Sequence, residues 1–101
     1  MSSGQNSIPF QRHAPEDPAA LRRQLQAHLA QLEQIKAGPD ALEVIRMTGL
    51  IGEEYRFLGE FETALPLLEE AVAEAQQLGA RRLEMVNCIR WATTYQRCPG
   101  K

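Results

Sequence analysis

The side chains here that could do chemistry are few and scattered. There are two histidines, His13 and His28, and two cysteines, Cys88 and Cys98. Metal binding needs more than two cysteines and two distant histidines supply. Glu53 and Glu54 form the nearest acid pair. On a helix, neighbours point about 100° apart, so their carboxyl groups would not converge on one substrate atom. His28 and Cys88 would make a base and a nucleophile only through a tertiary accident. The chain has no glycine-rich phosphate loop, no HExxH and no CxxC. These observations point away from an enzyme and imply no cofactor and no metal.

The two cysteines do not frame a disulfide. Ten residues apart on one helix, they would stand about 15 Å from each other, beyond the reach of a bridge. We expect two reduced thiols, with Cys88 buried as a small hydrophobe. Among 101 residues, 44% are hydrophobic and 24% charged, an ordinary balance for a globular domain. The net charge of −2 argues against a basic footprint for nucleic acid. No apolar run reaches the roughly 18 residues of a membrane span, and the first residues lack the apolar core of a signal peptide. The expectation is a single cytoplasmic domain.

The elements that must position these side chains are helices. Residues 1–16 are polar and contain Pro9 and Pro15, and they read as a flexible tail. Within it Ile8, Pro9 and Phe10 form an apolar island that either packs loosely on the nearest helix or docks in a groove. Asp17-Pro18 starts a helix, with Asp as N-cap and Pro at the first helical position. Leu21, Leu25, His28, Leu32 and Ile35 then recur at helical spacing, and Gly38-Pro39 stops the run. His28 therefore reads as a packed histidine rather than a ligand. Asp40 caps the next helix, with Glu43 at capping-box spacing.

That second helix carries apolar residues on more than one face, as an element packed on two sides would. Gly49 and Gly52 inside it each cost about 1 kcal/mol relative to alanine. Close approach of a neighbouring helix would compensate at Gly52. Gly59 ends this helix, and a third runs from about Phe61 to Leu78. Pro66 places the start of the third helix no earlier than Gly59 to Phe61. Its Glu69, Glu70 and Glu74 read as a solvated face. Gly79 caps its end. The fourth helix has Leu83, Val86, Cys88, Ile89, Trp91, Ala92 and Tyr95 as its apolar residues, and Pro99-Gly100 ends it. The expected helices are 18–37, 41–58, 61–78 and 81–97, within a domain spanning 17–98.

Thr48, Ile51, Gly52 and Tyr55, then Gly59 and Phe61, then Ala64, Leu68 and Ala71 alternate large and small side chains around a glycine turn. Thr48 and Cys88 are forty residues apart, as are Ile51 and Trp91, Gly52 and Ala92, and Tyr55 and Tyr95. Helical solenoids carry internal similarity at such periods. Over residues 42–95 the pattern resembles the tetratricopeptide repeat (TPR) family, and the Ala64–Glu69 run resembles its long-helix subtype. Thr48 and Cys88 depart from it, since the family has a larger apolar residue there, and Gly79 replaces the closing proline. The resemblance implies an all-α fold of antiparallel helix pairs stacked as a short right-handed solenoid of about four helices. The alternative is a four-helix bundle without stacking.

The resemblance further implies a module that holds another polypeptide. By position, its concave face would present Arg46, Gly49, Glu53, Arg56, Phe57, Ile89, Thr93, Gln96 and Arg97. Arg46, Arg56 and Arg97 could clamp an acidic side chain or a terminal carboxylate. The fourth helix lacks a following partner, so a stripe of Leu83, Ile89, Trp91 and Tyr95 would stand partly open and favour a homodimer. A small-molecule or peptide sensor, or a piece of a longer repeat array, are the other readings.

Overall fold

The computed structural model describes residues 17–99. It contains four helices: α1 (Pro18–Lys36), α2 (Ala41–Phe57), α3 (Phe61–Leu78) and α4 (Arg81–Arg97). Among the described residues there are no strands. The expected tail at 1–16, its Ile8-Pro9-Phe10 island and His13 lie outside the described residues.

The helix ends follow from local chemistry. Asp17 caps α1 by accepting the Ala19 N–H at 3.1 Å, and Pro18 opens the helix. Asp40 caps α2 by accepting the Glu43 N–H at 3.2 Å. The reciprocal half of a capping box is missing, because Arg46 binds the Glu43 carboxyl group instead. Gly59 and Gly79 take left-handed backbone angles, φ 80° and 69°, at the ends of α2 and α3, a region glycine enters without a Cβ clash. Gly38 does not play this part: α1 closes on Ala37 in an ordinary right-handed conformation. Helices α1 and α2 end at Lys36 and Phe57, one residue short of the expected bounds.

Each helix packs against the next in sequence, and α2 also touches α4. The core forms on both sides of α2. On one side Leu25 and Leu32 of α1 meet Met47 and Ile51, with Leu29, Leu50, Tyr55 and Leu67 around them. On the other, Ile45 meets Ala71 and Ala75 of α3, joined by Leu83. Small residues set the α2–α3 approach. A Cβ at Gly52 would come within 2.8 Å of the fully buried Leu68 side chain, so the glycine is required by contact.

Helix α4 departs from expectation. Its buried residues are Asn87 and Thr94, whereas Cys88, Ile89, Ala92 and Tyr95 are exposed. Cys88 is thus on the surface, and Cys98, just past the helix end, is the buried thiol. The reason is self-satisfaction of the polar groups. Asn87 Nδ2 donates to the Leu83 carbonyl at 2.9 Å, and Thr94 Oγ1 donates to the Arg90 carbonyl at 2.7 Å. A polar side chain that bonds its own helix loses little on burial. The forty-residue correspondence likewise does not extend to burial: Thr48, Ile51 and Gly52 are buried, while Cys88 and Ala92 are exposed. Helix α2 has neighbours on two sides, and α4 has none on its outer side among the described residues.

Candidate functional site

Two surfaces gather the residues singled out by sequence. The first lies on α2 beside α4. Glu53 and Arg56 sit one turn apart, and Arg56 Nη2 donates to Glu53 Oε2 at 2.7 Å while its Nε reaches Oε1 at 3.3 Å. The same guanidinium stands 4.7 Å from the centre of the exposed Phe57 ring, within cation–π range. Arg90 of α4 adds a second cation, its Nε 3.7 Å from Glu53 Oε1. Its Nη1 donates to Asn87 Oδ1 at 3.1 Å. Two guanidinium groups thus share one carboxylate, leaving one positive charge in excess between the helices.

Arg90 was not singled out by sequence. The signal that could have found it is its helical spacing from Asn87 and Leu83, which places it on the same side of α4. Arg46, by contrast, is committed to Glu43, with Nε to Oε1 at 3.0 Å. That hydrogen bond holds the Glu43 carboxyl below its ordinary range; desolvation opposes it, and the charge attraction of the same guanidinium adds a smaller lowering. The same hydrogen bond also raises the Arg46 guanidinium. Gln96 and Arg97 are exposed at the far end of α4. Gly49 presents nothing to solvent: it is buried, with the Asn87 side chain lying against it.

The second surface is α4 itself. Met85 is 59% exposed and Ile89 60%, with Val86 and Tyr95 also exposed. At 3.6 residues per turn, Met85, Ile89 and Ala92 form one outward stripe opposite Asn87 and Thr94. Of the expected seam residues, Leu83 turns inward against Ile45, Ala71 and Ala75. Trp91 is half-buried, donates its Nε1–H to Glu69 Oε2 at 3.0 Å, and stacks on Tyr95 at 5.0 Å between centroids. Glu69 is therefore an acceptor for the indole rather than only a solvated acid. Between α3 and α4, Val72, Ala73, Cys88 and Trp91 line a groove of about 230 Å³, below the roughly 300–1,000 Å³ of small-molecule sites.

The residues considered for catalysis are kept apart. Glu53 faces Arg56 and Arg90, whereas Glu54 turns to α1, where His28 Nδ1 stands 2.7 Å from Glu54 Oε2. Glu54 is buried, and its Oε1 has no hydrogen-bond partner. Cys88 lies on α4, and α1 makes no packing contact with α4, so His28 and Cys88 do not meet. Among the described residues no group of three or more His, Cys, Asp or Glu side chains converges to hold a metal ion, and no helix is long and apolar enough to cross a membrane. Comparison with protein-family models, with curated proteins and with solved structures found no match to this chain.

Proposed function

We propose that this chain is a non-catalytic protein-interaction module that holds a peptide or helix of a partner polypeptide in the cytoplasm. Its helices would form antiparallel pairs in a short, TPR-like, right-handed solenoid. The tight Gly52–Leu68 approach and the fully buried Ala64, Ala71 and Ala75 support that arrangement. The observation that carries the function is the outward face of α4. Met85 and Ile89 remain more than half exposed on a helix whose inner face is packed, and an apolar stripe of this kind marks an interface. Glu53, Arg56, Phe57 and Arg90, flanked by Arg46, Gln96 and Arg97, supply a second contact region suited to acidic groups of the bound chain.

The test is selection from a displayed library of helical and acidic peptides, run against the wild type and against Ile89→Glu and Arg56→Ala. Enrichment of a peptide class whose binding either variant abolishes supports the module. A library that yields nothing retained by the wild type refutes it.

A further inference from the structure

We propose that the groove between α3 and α4 takes a cationic amphipathic helix of the partner, its apolar stripe laid along Cys88 and Ala92 and its lysine or arginine side chains set against Glu62 and Glu69. The proposal rests on the reading of this chain as an interaction module and names the chemistry of what it holds.

The chain itself shows what covers such a stripe. On α2, Ile45 meets Ala71 and Ala75 of α3, and Leu68 of α3 closes on Gly52. Forty residues on, Met85 and Ala92 hold the same positions on α4, with Cys88 between them, and all three are exposed. The groove beside them has an apolar floor of Val72, Ala73, Cys88 and Trp91, and it continues past Cys88 to Met85 and Arg81. From Trp91 to Arg81 it follows α4 for about 15 Å, close to three turns of a docked helix.

Charge selects the occupant. Helix α3 carries four glutamates and no lysine or arginine. Glu62 and Glu69, seven residues apart, share the side of α3 that bears Ala73 and Gln76, and Glu70 flanks them. Among the described residues none of these three acids is in an ion pair. Trp91 Nε1 donates to Glu69 Oε2 at 3.0 Å, which fixes the carboxylate beside the stacked Trp91 and Tyr95 rings. A lysine or arginine stem lies well on such an aromatic surface while its head meets the acid. Helix α4 adds one cation to the groove, Arg81, at the opposite end. Arg82, Arg90 and Arg97 project about 120–180° away from Cys88 around the helix. The basic end of the bound helix therefore lies toward Glu62 and Glu69.

Other exposed apolar groups come with cations. Phe57 lies against Arg56, Ala19 shares a hollow with Arg22 and Arg23, and Leu78 shares one with Lys36 and Glu74 together. None of these three places sets an unopposed acid beside an apolar floor.

The test uses Trp91, the one tryptophan of the chain, as reporter. Two helical peptides of about 15 residues, free of tryptophan, share one leucine and alanine stripe and carry either lysine or glutamate on its flanks. Titrated into the full chain, the lysine peptide should shift Trp91 fluorescence and slow modification of Cys88 about tenfold or more. It should bind at least about tenfold more tightly than the glutamate peptide and weaken with added salt. Ala73→Arg, and Glu62→Gln with Glu69→Gln, should each weaken it about tenfold while keeping the helical circular dichroism spectrum, since all three side chains are exposed and glutamine at 69 still accepts from the indole. A lysine peptide that does not bind up to high micromolar concentration overturns the proposal. So does equal binding of the two peptides, or binding indifferent to Ala73→Arg. Shielding of Cys88 that grows with protein concentration alone overturns it too, because a second copy is then the occupant. Library peptides that are lost with Arg56→Ala yet indifferent to Ala73→Arg would sink the groove and leave the interaction-module reading standing.

Discussion

Replacing Gly49 by alanine should destabilise this protein, although helix propensity alone says the reverse. In a helix interior alanine is better than glycine by about 1 kcal/mol. Against that gain, a Cβ at Gly49 would overlap the Asn87 amide, standing 2.8 Å from its Cγ and 3.0 Å from Arg90 Nη1. Asn87 is fully buried and tied at both ends, to the Leu83 carbonyl and to Arg90, so it cannot swing clear. Overpacking of this kind costs about 1–3 kcal/mol, and a lost hydrogen bond to a partly exposed cation costs about 1 kcal/mol more. The net is a loss of about 1–3 kcal/mol, a fall in Tm of roughly 5–20 °C for a domain this size. Urea and thermal unfolding followed by far-UV circular dichroism would measure it. The decisive arm is the double-mutant cycle with Asn87→Ala. Once the amide is gone, Gly49→Ala should become stabilising by about 1 kcal/mol. If Gly49→Ala alone raises Tm, or if the two substitutions simply add, then the α2–α4 contact does not act as described.

Other outcomes follow from the same packing. His28→Ala leaves the buried Glu54 carboxyl group with neither oxygen bonded and should cost about 2–4 kcal/mol by urea unfolding; adding Glu54→Leu should restore most of it, and a failure to do so would show that the pair is not what joins α1 to α2. A thiol reagent added to the native protein should modify Cys88 at once and Cys98 only after denaturation, so that an absorbance assay counts one fast thiol and one slow; two fast thiols would contradict the burial of Cys98. Because Arg46 holds the Glu43 carboxyl below its ordinary range, the pair's contribution is present above that ordinary range and fades as pH falls through the lowered value. Arg46→Ala should move the Glu43 titration, followed by NMR, upward, and an unchanged midpoint would discount the pair.

Local chemistry was legible from the sequence. The aspartate caps at 17 and 40, the left-handed glycines at 59 and 79, and the placement of Pro66 bound four helices to within a residue, because capping and backbone sterics act over a few neighbouring residues. The need for glycine at position 52 was also legible, since a glycine in a helix interior implies close contact. Helix α4 was not. Its apolar residues surround the whole helix, so periodicity could not say which side would be covered. The answer depended on which helices surround it, and on Asn87 and Thr94 bonding to their own backbone so that burial cost little.

The candidate site divides in the same way. Glu53, Arg56 and Phe57 share one stretch of α2, and their spacing alone brings them together. Arg90 joins them from nearly forty residues away, and only the packing of α4 against α2 determines that contact. The pairing of His28 with Glu54 likewise crosses from α1 to α2. Sequence determined the helices, their ends and the small-residue contacts. Tertiary structure decided which face of α4 is left to solvent and which charges meet, because burial and long-range pairing belong to neighbours that a linear pattern does not contain.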